Sequence, residues 1–441
     1  MPVNKDYYML TGSSGQSTGY TIDQSIRFND DNSSLMSRTP SQASSSQRAF
    51  TISFWTKRGN LTSGNRGLFA WEGANDNSEL RLFFDDNQLR YSYIDSNSYV
   101  SRLDTIKLFR DVSAWYHIVA VSDTENAVAT ERWKIYVNGV RETAFENTVY
   151  PSQNANIALF SSTSYLTVIG RTRSTGTSTY DGYLSEINVI DGYAYDPSYF
   201  GEFKTDTDIW IPKEYEGSYG NNGFYLKGQN SGALGNDSSG NDNDFSVTGL
   251  AAHDQVLDSP TNNFAVINPL IKSGNTLSEG NLKVTTTTTT PAKFVSTIGV
   301  TSRKWFMEFR HSGDSNYVFG VTSDTQQRNY LGISDGSTSV GIFGVSSGSN
   351  AFVNGSQVSW GGSGTTWSSG DIIGLALNAD DSILEVYKNG SSIGSYDYSG
   401  LNWSEHFFAG GNYVAGTYSP NFGQEGTFAG NISAGGNSDS N

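Results

Sequence analysis

Three tryptophans stand where an aromatic face could meet a sugar. Val358-Ser-Trp-Gly-Gly-Ser-Gly-Thr-Thr-Trp367 sets Trp360 and Trp367 among glycines, and Leu401-Asn-Trp-Ser-Glu-His406 adds Trp403. Glycan recognition needs an aromatic plane against the C–H side of the ring, plus amides or carboxylates for its hydroxyls. Tryptophan flanked by small polar residues is harder to bury than tryptophan in an apolar run, so Trp360, Trp367 and Trp403 are the candidate glycan-binding residues. The competing role is a plug at the end of a sandwich. Trp55, Trp115, Trp133 and Trp305 lie in β-rich runs and are expected to pack in a core or on a sheet face.

Oxygen-rich turns are the second candidate chemistry. Asp85, Asp86 and Asn87, or Asp237 with Asn241 and Asp242, could ligate calcium, which takes carboxylate, amide and backbone oxygens. Solvated turns are the competing reading for these clusters and for Asp206-Thr-Asp208 and Asp380-Asp381. Catalysis is less well supported. A glycosidase needs two carboxylates about 5 Å or about 6.5–9.5 Å apart, and no Glu-x-Asp-x-Glu or Glu-x-Asp-x-x-Glu run occurs. The four histidines, His117, His253, His311 and His406, are too dispersed to put two on one metal. His117 falls inside Trp115-Tyr-His-Ile-Val-Ala-Val121 and is expected to be packed or on the surface, rather than a ligand or base. No catalytic residue is assigned, and the protein is expected not to be an enzyme.

Such residues must be held by strands. Aromatics make up 13% of the 441 residues, with 48 Gly and only 9 Pro, which suits short strands joined by many turns. No long stretch repeats its apolar positions at the helical period, so helix content should be small. Near-copies of one hairpin recur at Lys134-Ile135-Tyr136-Val137-Asn138-Gly139 and Glu385-Val386-Tyr387-Lys388-Asn389-Gly390. Asn-Gly tolerates the positive φ of a two-residue turn between twisted antiparallel strands. Each copy follows an apolar run, Trp115–Val121 or Asp371-Ile-Ile-Gly-Leu-Ala-Leu377, by a similar interval. In Phe50-Thr-Ile-Ser-Phe-Trp55, alternation predicts a half-buried strand with Phe50, Ile52 and Phe54 inward.

The chain is too long for one sandwich of about 100–200 residues, so two domains are expected. Residues 1–20 are polar and glycine-rich and read as an arm or linker. From about Gly217 to Asn263 the composition turns to Gly, Asn, Asp and Ser, which predicts loop and domain edge. The boundary is placed near Pro260–Ser273, giving domains over 21–260 and 261–441. The tract Thr285–Thr290 reads equally as linker or strand edge.

Lys and Arg number 28 against 44 Asp and Glu, a net charge of −16, which repels polyanions and argues against a nucleic-acid partner or an anionic membrane surface. No apolar run reaches the roughly 18–20 residues of a membrane helix. The N-terminus Met1-Pro-Val-Asn-Lys-Asp lacks a signal-peptide pattern, so a soluble protein not exported by that route is expected. The absence of Cys excludes disulfides and thiolate chemistry, which leaves stability to packing and assembly.

The segments Phe50-Thr-Ile-Ser-Phe-Trp-Thr-Lys57, Trp115–Val121, Ile135-Tyr-Val-Asn-Gly139, Ile169-Gly-Arg171 and Tyr180-Asp-Gly-Tyr-Leu-Ser-Glu-Ile187 resemble, in order, a laminin-G-like, concanavalin-type jelly roll from about Gly19 to Phe245. Trp305-Phe-Met-Glu-Phe309, Gly370-Asp-Ile-Ile-Gly-Leu-Ala-Leu377, Val386-Tyr-Lys-Asn-Gly390 and Pro420-Asn-Phe-Gly-Gln424 resemble a SPRY sandwich. The implied fold is all-β, with two concanavalin A-like and SPRY-like antiparallel β-sandwiches in tandem. Ser25-Ile-Arg-Phe-Asn-Asp-Asp-Asn-Ser-Ser-Leu-Met-Ser-Arg-Thr-Pro40, Asn236-Asp-Ser-Ser-Gly-Asn-Asp-Asn-Asp-Phe245 and Asp258-Ser-Pro-Thr-Asn-Asn-Phe264 are similar to stretches of virion structural proteins of tailed, especially marine, bacteriophages.

That resemblance implies a non-enzymatic fibre or peripheral capsid or tail protein, made in the host cytoplasm and carried in the virion. Its implied partners are other virion proteins and a host-surface glycan or protein, its expected assembly a homo-oligomer with a trimer favoured, and calcium its one candidate cofactor. The alternatives are a decoration protein that binds no glycan, and a secreted lectin or glycosidase on the same fold. The arm of residues 1–20 is expected to dock to the particle. The family pattern also implies a further aromatic strand after Phe422-Gly-Gln-Glu-Gly-Thr-Phe428, so a truncated C-terminus is expected.

Overall fold

The computed structural model describes residues 8–9, 11–12, 19–73, 78–272, 274–286, 292–313, 317–325, 331–334, 338–344, 350–362, 366–412 and 415–433. The chain divides into two compact units, Ser13–Asn263 and a second that joins Met1–Gly12 to Phe264–Asn441. Strands dominate both. Helix among the described residues is limited to three-residue 3₁₀ turns such as Pro197–Tyr199.

The 13–263 unit is a pair of antiparallel sheets. One runs in the order Val140–Arg141, Trp133–Val137, Tyr116–Asp123, Ala49–Arg58, Gly182–Asp191, Ser25–Phe28 and Gln255–Val256, with Phe224–Leu226 also paired to Gly182–Asp191. The other runs Phe145–Val149, Ser98–Leu108, Gln88–Asp95, Glu79–Asp85, Asn65–Glu72, Thr167–Ile169, Leu35–Arg38 and Ser246–Thr248. Between them lie Phe50, Ile52 and Phe54 with Leu80, Leu82, Phe84, Ile118 and Trp133. Each such side chain contributes about 1.5–3 kcal/mol when fully buried.

The expected half-buried strand is corrected here: Ala49–Arg58 is buried on both faces. Its other face, with Thr51, Ser53, Trp55 and Lys57, lies beneath the segment that follows Asp191. Phe200, Tyr215, Tyr219 and Tyr225 pack with Val119, Val121 and Ile190 into a second apolar layer. Period-two alternation marked the inner face correctly, and the covering segment was invisible to it because the outer residues are small or amphipathic and pack as well as they solvate.

The polar stretch expected as loop is likewise more ordered than its composition implies. Phe224–Leu226, Ser246–Thr248 and Gln255–Val256 each add a strand to a sheet. Hydrogen bonds within the turns replace apolar burial. Asp237 accepts from the backbone N–H groups of Tyr225, Ser239 and Asn243 and from the Ser239 hydroxyl, at 2.7–2.9 Å. Asn243, 3% exposed, donates to the Gly223 and Asn221 carbonyls.

In the 264–441 unit one sheet runs Thr276–Ser278, Lys283–Thr286, Gly416–Asn421, Lys304–Gly313, Ile372–Asn378, Ile383–Lys388 and Ser391–Asp397. The other runs Ala292–Val295, Phe407–Asn412, Tyr317–Thr322, Ser339–Gly344, Asn350–Val353 and Ser356–Val358. The start of the threonine tract is therefore strand, and its residues 287–290 lie outside the described residues. Within the segment expected as an arm, Tyr8–Met9 pairs in parallel with Trp305–Phe306 and so belongs to this sheet.

Both hairpins turn as expected. Asn138 and Gly139 have φ of 48° and 77°, and Asn389 and Gly390 have φ of 48° and 79°. Each asparagine also holds the start of the neighbouring strand with two bonds. The Asn138 side chain accepts from the His117 N–H at 2.7 Å while its own N–H donates to the His117 carbonyl at 2.8 Å. Asn389 does the same with Ile372, at 2.9 and 2.8 Å. The asparagine is thus fixed by more than its tolerance of positive φ.

Candidate ligand-binding surfaces

The three candidate tryptophans have different fates. Trp367 is 2% exposed and packs on Tyr317 and Phe319, at 5.3 and 6.0 Å between ring centroids. Its assignment to glycan binding is corrected, since a core residue presents no face to a sugar. A glycine of another strand serves close packing there: a Cβ on Gly344 would lie 2.2 Å from the Trp367 ring. Trp360 and Trp403 are half-buried. Beside Trp360, the N–H of Gly361 donates to the Ser395 carbonyl of the edge strand at 2.8 Å, and a Cβ on Gly394 would meet Gly362 at 2.2 Å. Trp403 packs at 4.9 Å on Tyr398, whose hydroxyl meets His406 Nδ1 at 3.0 Å. Trp360 therefore lies beside the strand Ser391–Asp397, and Trp403 on the residue that follows it.

The calcium candidates Asp85, Asp86 and Asn87 lie together at the turn between Glu79–Asp85 and Gln88–Asp95. Their oxygens already face protein donors: Asn87 Oδ1 accepts from Arg58 Nη1 at 3.0 Å, and the Asp86 carbonyl from Arg58 Nη2 at 3.1 Å. Asp86 Oδ1 accepts from the Gly64 N–H at 2.7 Å, and Asp85 pairs with Arg90 at 2.6 Å. Arg58 lies 4.5 Å over the Phe84 ring and is 1% exposed, so this turn serves to seat a buried guanidinium. Its neighbour Asp104 feels burial, which raises its pKa, but bonds from Arg102 and Arg90 outweigh that and hold it below the usual carboxylate value. Asp237, Asn241 and Asp242 sit in the hydrogen-bonded turns described above. Among the described residues no group of three or more His, Asp or Glu is placed to hold a metal.

His117 is packed. It stacks between Trp55 and Trp210, at 4.8 and 5.9 Å, and is 1% exposed. Trp210 donates its indole N–H to Nδ1 at 2.9 Å, so the proton sits on Nε2, which faces the Ser53 hydroxyl at 2.9 Å. Desolvation pushes the imidazole down to about 3. Trp210 also covers the first hairpin, where a Cβ on Gly139 would lie 2.3 Å from its ring.

Nearby, Lys57 and Asp258 form a fully buried ion pair at 2.7 Å, closed by Asn263 and the Trp115 indole N–H. Burial lowers the Lys57 pKa, and Asp258 opposes that. Glu186 stands at φ 52° in a bulge of Gly182–Asp191 and accepts from the hydroxyls of Tyr225 and Tyr20 at 2.7 and 2.9 Å. Burial raises its pKa.

A row of exposed, stacked aromatic residues in the covering segment was not anticipated from the sequence. Tyr193 and Tyr195 stack at 5.6 Å and 5°, and Tyr195 and Tyr199 at 4.1 Å and 28°. Tyr193 and Tyr199 are each 44% exposed. The row is set by the turn at Asp196, whose carboxylate caps Pro197–Tyr199 through the Ser198 N–H at 2.8 Å, and by Thr51, which accepts from the Tyr195 N–H at 2.8 Å. The available signal was the clustering of tyrosine in Tyr193-Ala-Tyr-Asp-Pro-Ser-Tyr199. It was missed because tyrosine is equally common in cores.

Residues 29–195 match the laminin G family described as the concanavalin A-like lectin/glucanases superfamily. That match and the paired sheets define a concanavalin A-like, lectin-type fold. No curated protein sequence matches the chain. Among solved structures, the chain is similar to the SPRY domain of human HERC1, with 14% identity over 35% of this chain and 96% of that one and a TM-score of 0.30. It is also similar to mouse laminin alpha1 domains LG4-5, with 10% identity over 95% and 86% of the two chains and a TM-score of 0.32. A heptameric SAP-like pentraxin of Limulus polyphemus shows 18% identity over 40% and 78%, with a TM-score of 0.27.

Proposed function

We propose that this is a non-enzymatic binding protein whose lectin-type 13–263 unit engages a surface glycan. The observation that carries the reading is the stacked row Tyr193, Tyr195 and Tyr199, in which Tyr193 and Tyr199 are each 44% exposed. Asp196, Ser198 and Lys213 surround it with groups able to bond hydroxyls, and Lys213 already reaches the Ser198 carbonyl at 3.3 Å. Trp360 and Trp403 offer a further aromatic surface in the 264–441 unit. With a net charge of −16, the chain favours neutral or cationic glycans over polyanions.

The order of a laminin-G-like and a SPRY-like module, with the phage-like stretches around Ser25, Asn236 and Asp258, supports placing it in a tailed-phage virion. There it serves as a fibre or a peripheral capsid or tail protein, a homotrimer joined to other virion proteins and meeting the host surface. A virion reconstruction that finds the chain elsewhere overturns this placement.

The binding reading is tested with host-cell polysaccharide and the full chain. Saturable binding is expected, and Tyr193→Ala with Tyr199→Ala should weaken it by about tenfold or more at an unchanged melting temperature. Absence of wild-type binding, or equal binding by the double variant, refutes the assignment. New reducing ends after incubation would overturn the non-enzymatic part.

A further inference from the structure

A cavity of about 260 Å³ opens on the side of the 13–263 unit. The strand pair Trp133–Val137 and Val140–Arg141 ends one sheet there, and Phe145–Val149 is the edge of the other. The chain between Arg141 and Phe145 crosses from sheet to sheet. The cavity therefore lies where the sandwich is open, and residues from both edges line it.

Its lining has two chemistries. Phe145 and Tyr150, both half-buried, supply aromatic surface, and Trp133, 1% exposed, forms the core wall behind them. Trp133 is held rigid by stacking on Tyr91 at 4.0 Å and 11°, with its indole N–H on the Tyr91 carbonyl at 3.2 Å. Glu131, Lys134 and Arg141 supply the polar groups. Arg141 Nη1 lies 2.6 Å from Glu131 Oε1, Arg141 Nη2 donates to the Thr130 carbonyl at 2.6 Å, and Lys134 lies 3.5 Å from Glu131 Oε2. The bond from Arg141 holds the Glu131 carboxyl below the usual carboxylate value, so it is an acceptor at neutral pH. The side chains of Glu131 and Arg141 remain about one-third exposed, at 33% and 32%.

We infer that this cavity binds one uncharged sugar ring, with Glu131 accepting from and Arg141 donating to adjacent hydroxyls against the Tyr150 and Phe145 rings. Three features select that ligand. The volume is below the roughly 300–1,000 Å³ typical of drug-sized ligands, which fits a single ring. Lys134 and Arg141 both pair with Glu131, and Glu142 pairs with Lys107, so each charged group lining the cavity already has an ionic partner and none waits for an ionic ligand. The pre-clamped carboxylate and guanidinium offer a fixed acceptor and donor pair at little ordering cost. The inference rests on the glycan-binding reading for its ligand class, and it places a second contact away from the tyrosine row.

The test is saturation-transfer difference NMR on the full chain with D-glucose, D-galactose, D-mannose and N-acetyl-D-glucosamine, each in the millimolar range. At least one should saturate, and Arg141→Ala and Tyr150→Ala should each weaken it by about tenfold. Glu131→Gln, which keeps the shape and removes the charge, serves if Arg141→Ala lowers the melting temperature. The Tyr193→Ala, Tyr199→Ala protein should bind the monosaccharide as wild type does. No saturation by any of the four sugars, or saturation unchanged in the folded pocket variants, overturns the inference. Loss of polysaccharide binding in the tyrosine variant with monosaccharide binding intact leaves both standing. Monosaccharide binding by a chain that ignores the polysaccharide sinks only the surface-glycan reading.

Discussion

Asn138 in one unit and Asn389 in the other hold their hairpins with the same pair of bonds, and beyond that turn the units use their aromatic and polar groups differently. The 13–263 unit covers one outer sheet face with a second layer, in which buried charges are paired, Lys57 with Asp258 and Arg27 with Asp254, and His117 is bonded on both nitrogens. The 264–441 unit brings polar aromatics into its interior. His311, Tyr317 and Tyr418 are fully buried there beside Trp367 and Phe319, with His311 and Tyr317 centroids 3.5 Å apart. Two double sheets of like turn geometry can therefore differ in where their polar atoms are buried, and hence in which conditions stress them.

The largest expected effect probes the interior of the 264–441 unit. Trp367→Ala should cost about 3–5 kcal/mol in chemical denaturation, whereas Trp403→Ala should cost under about 1. Similar losses would put Trp367 back at the surface. The matching probe of the covered face is Asp258→Ala, which strands the Lys57 ammonium and should cost about 3–5 kcal/mol, read on the transition of the 13–263 unit. A loss below about 1 kcal/mol would mean that the layer opens readily.

Acid should then act on that face through His117. The folded imidazole stays neutral down to a pH of about 3, while the unfolded one takes up a proton below about 6.5. Between those values the unfolded state binds more protons, so stability falls as pH falls, by about 1.4 kcal/mol per unit from this group. His117→Gln should flatten the dependence of the melting midpoint between about pH 6.5 and 5, and an unchanged slope would remove His117 as its cause.

Smaller effects test the shared turn. Asn138→Ala and Asn389→Ala should each cost about 1–2 kcal/mol, from a lost hydrogen bond and a strained positive φ. A large gap between them would show that the resemblance of the turns is only geometric. Last, Asp86→Ala should lower the melting midpoint equally in calcium and in chelator, because its carboxylate caps the Gly64 N–H. A loss seen only with calcium would favour the metal reading.

Much of the fold was legible locally. Asn-Gly within β-rich runs located both turns, and Phe50, Ile52 and Phe54 located an inner face. The site was far less so. Trp360 and Trp367 are both flanked by small residues, yet one is half-buried and the other is core, because Gly344 lets its strand approach the second. Asp85, Asp86 and Asn87 have the composition of a cation site, and only the tertiary structure shows that the Asp86 carbonyl and Asn87 Oδ1 meet Arg58, from a strand nearly thirty residues earlier, while Asp85 pairs with Arg90.

By itself the sequence determined the all-β class, the turn positions and which strand faces are apolar, since these follow from backbone conformation and from alternation over a few residues. Tertiary structure decided which aromatic rings meet solvent, which carboxylates are already satisfied, and that Glu131 and Arg141 would meet Phe145 and Tyr150 around a cavity. The first two depend on contacts between segments far apart in the chain, and the last on where one stretch crosses from sheet to sheet, and residue type alone carries no record of either.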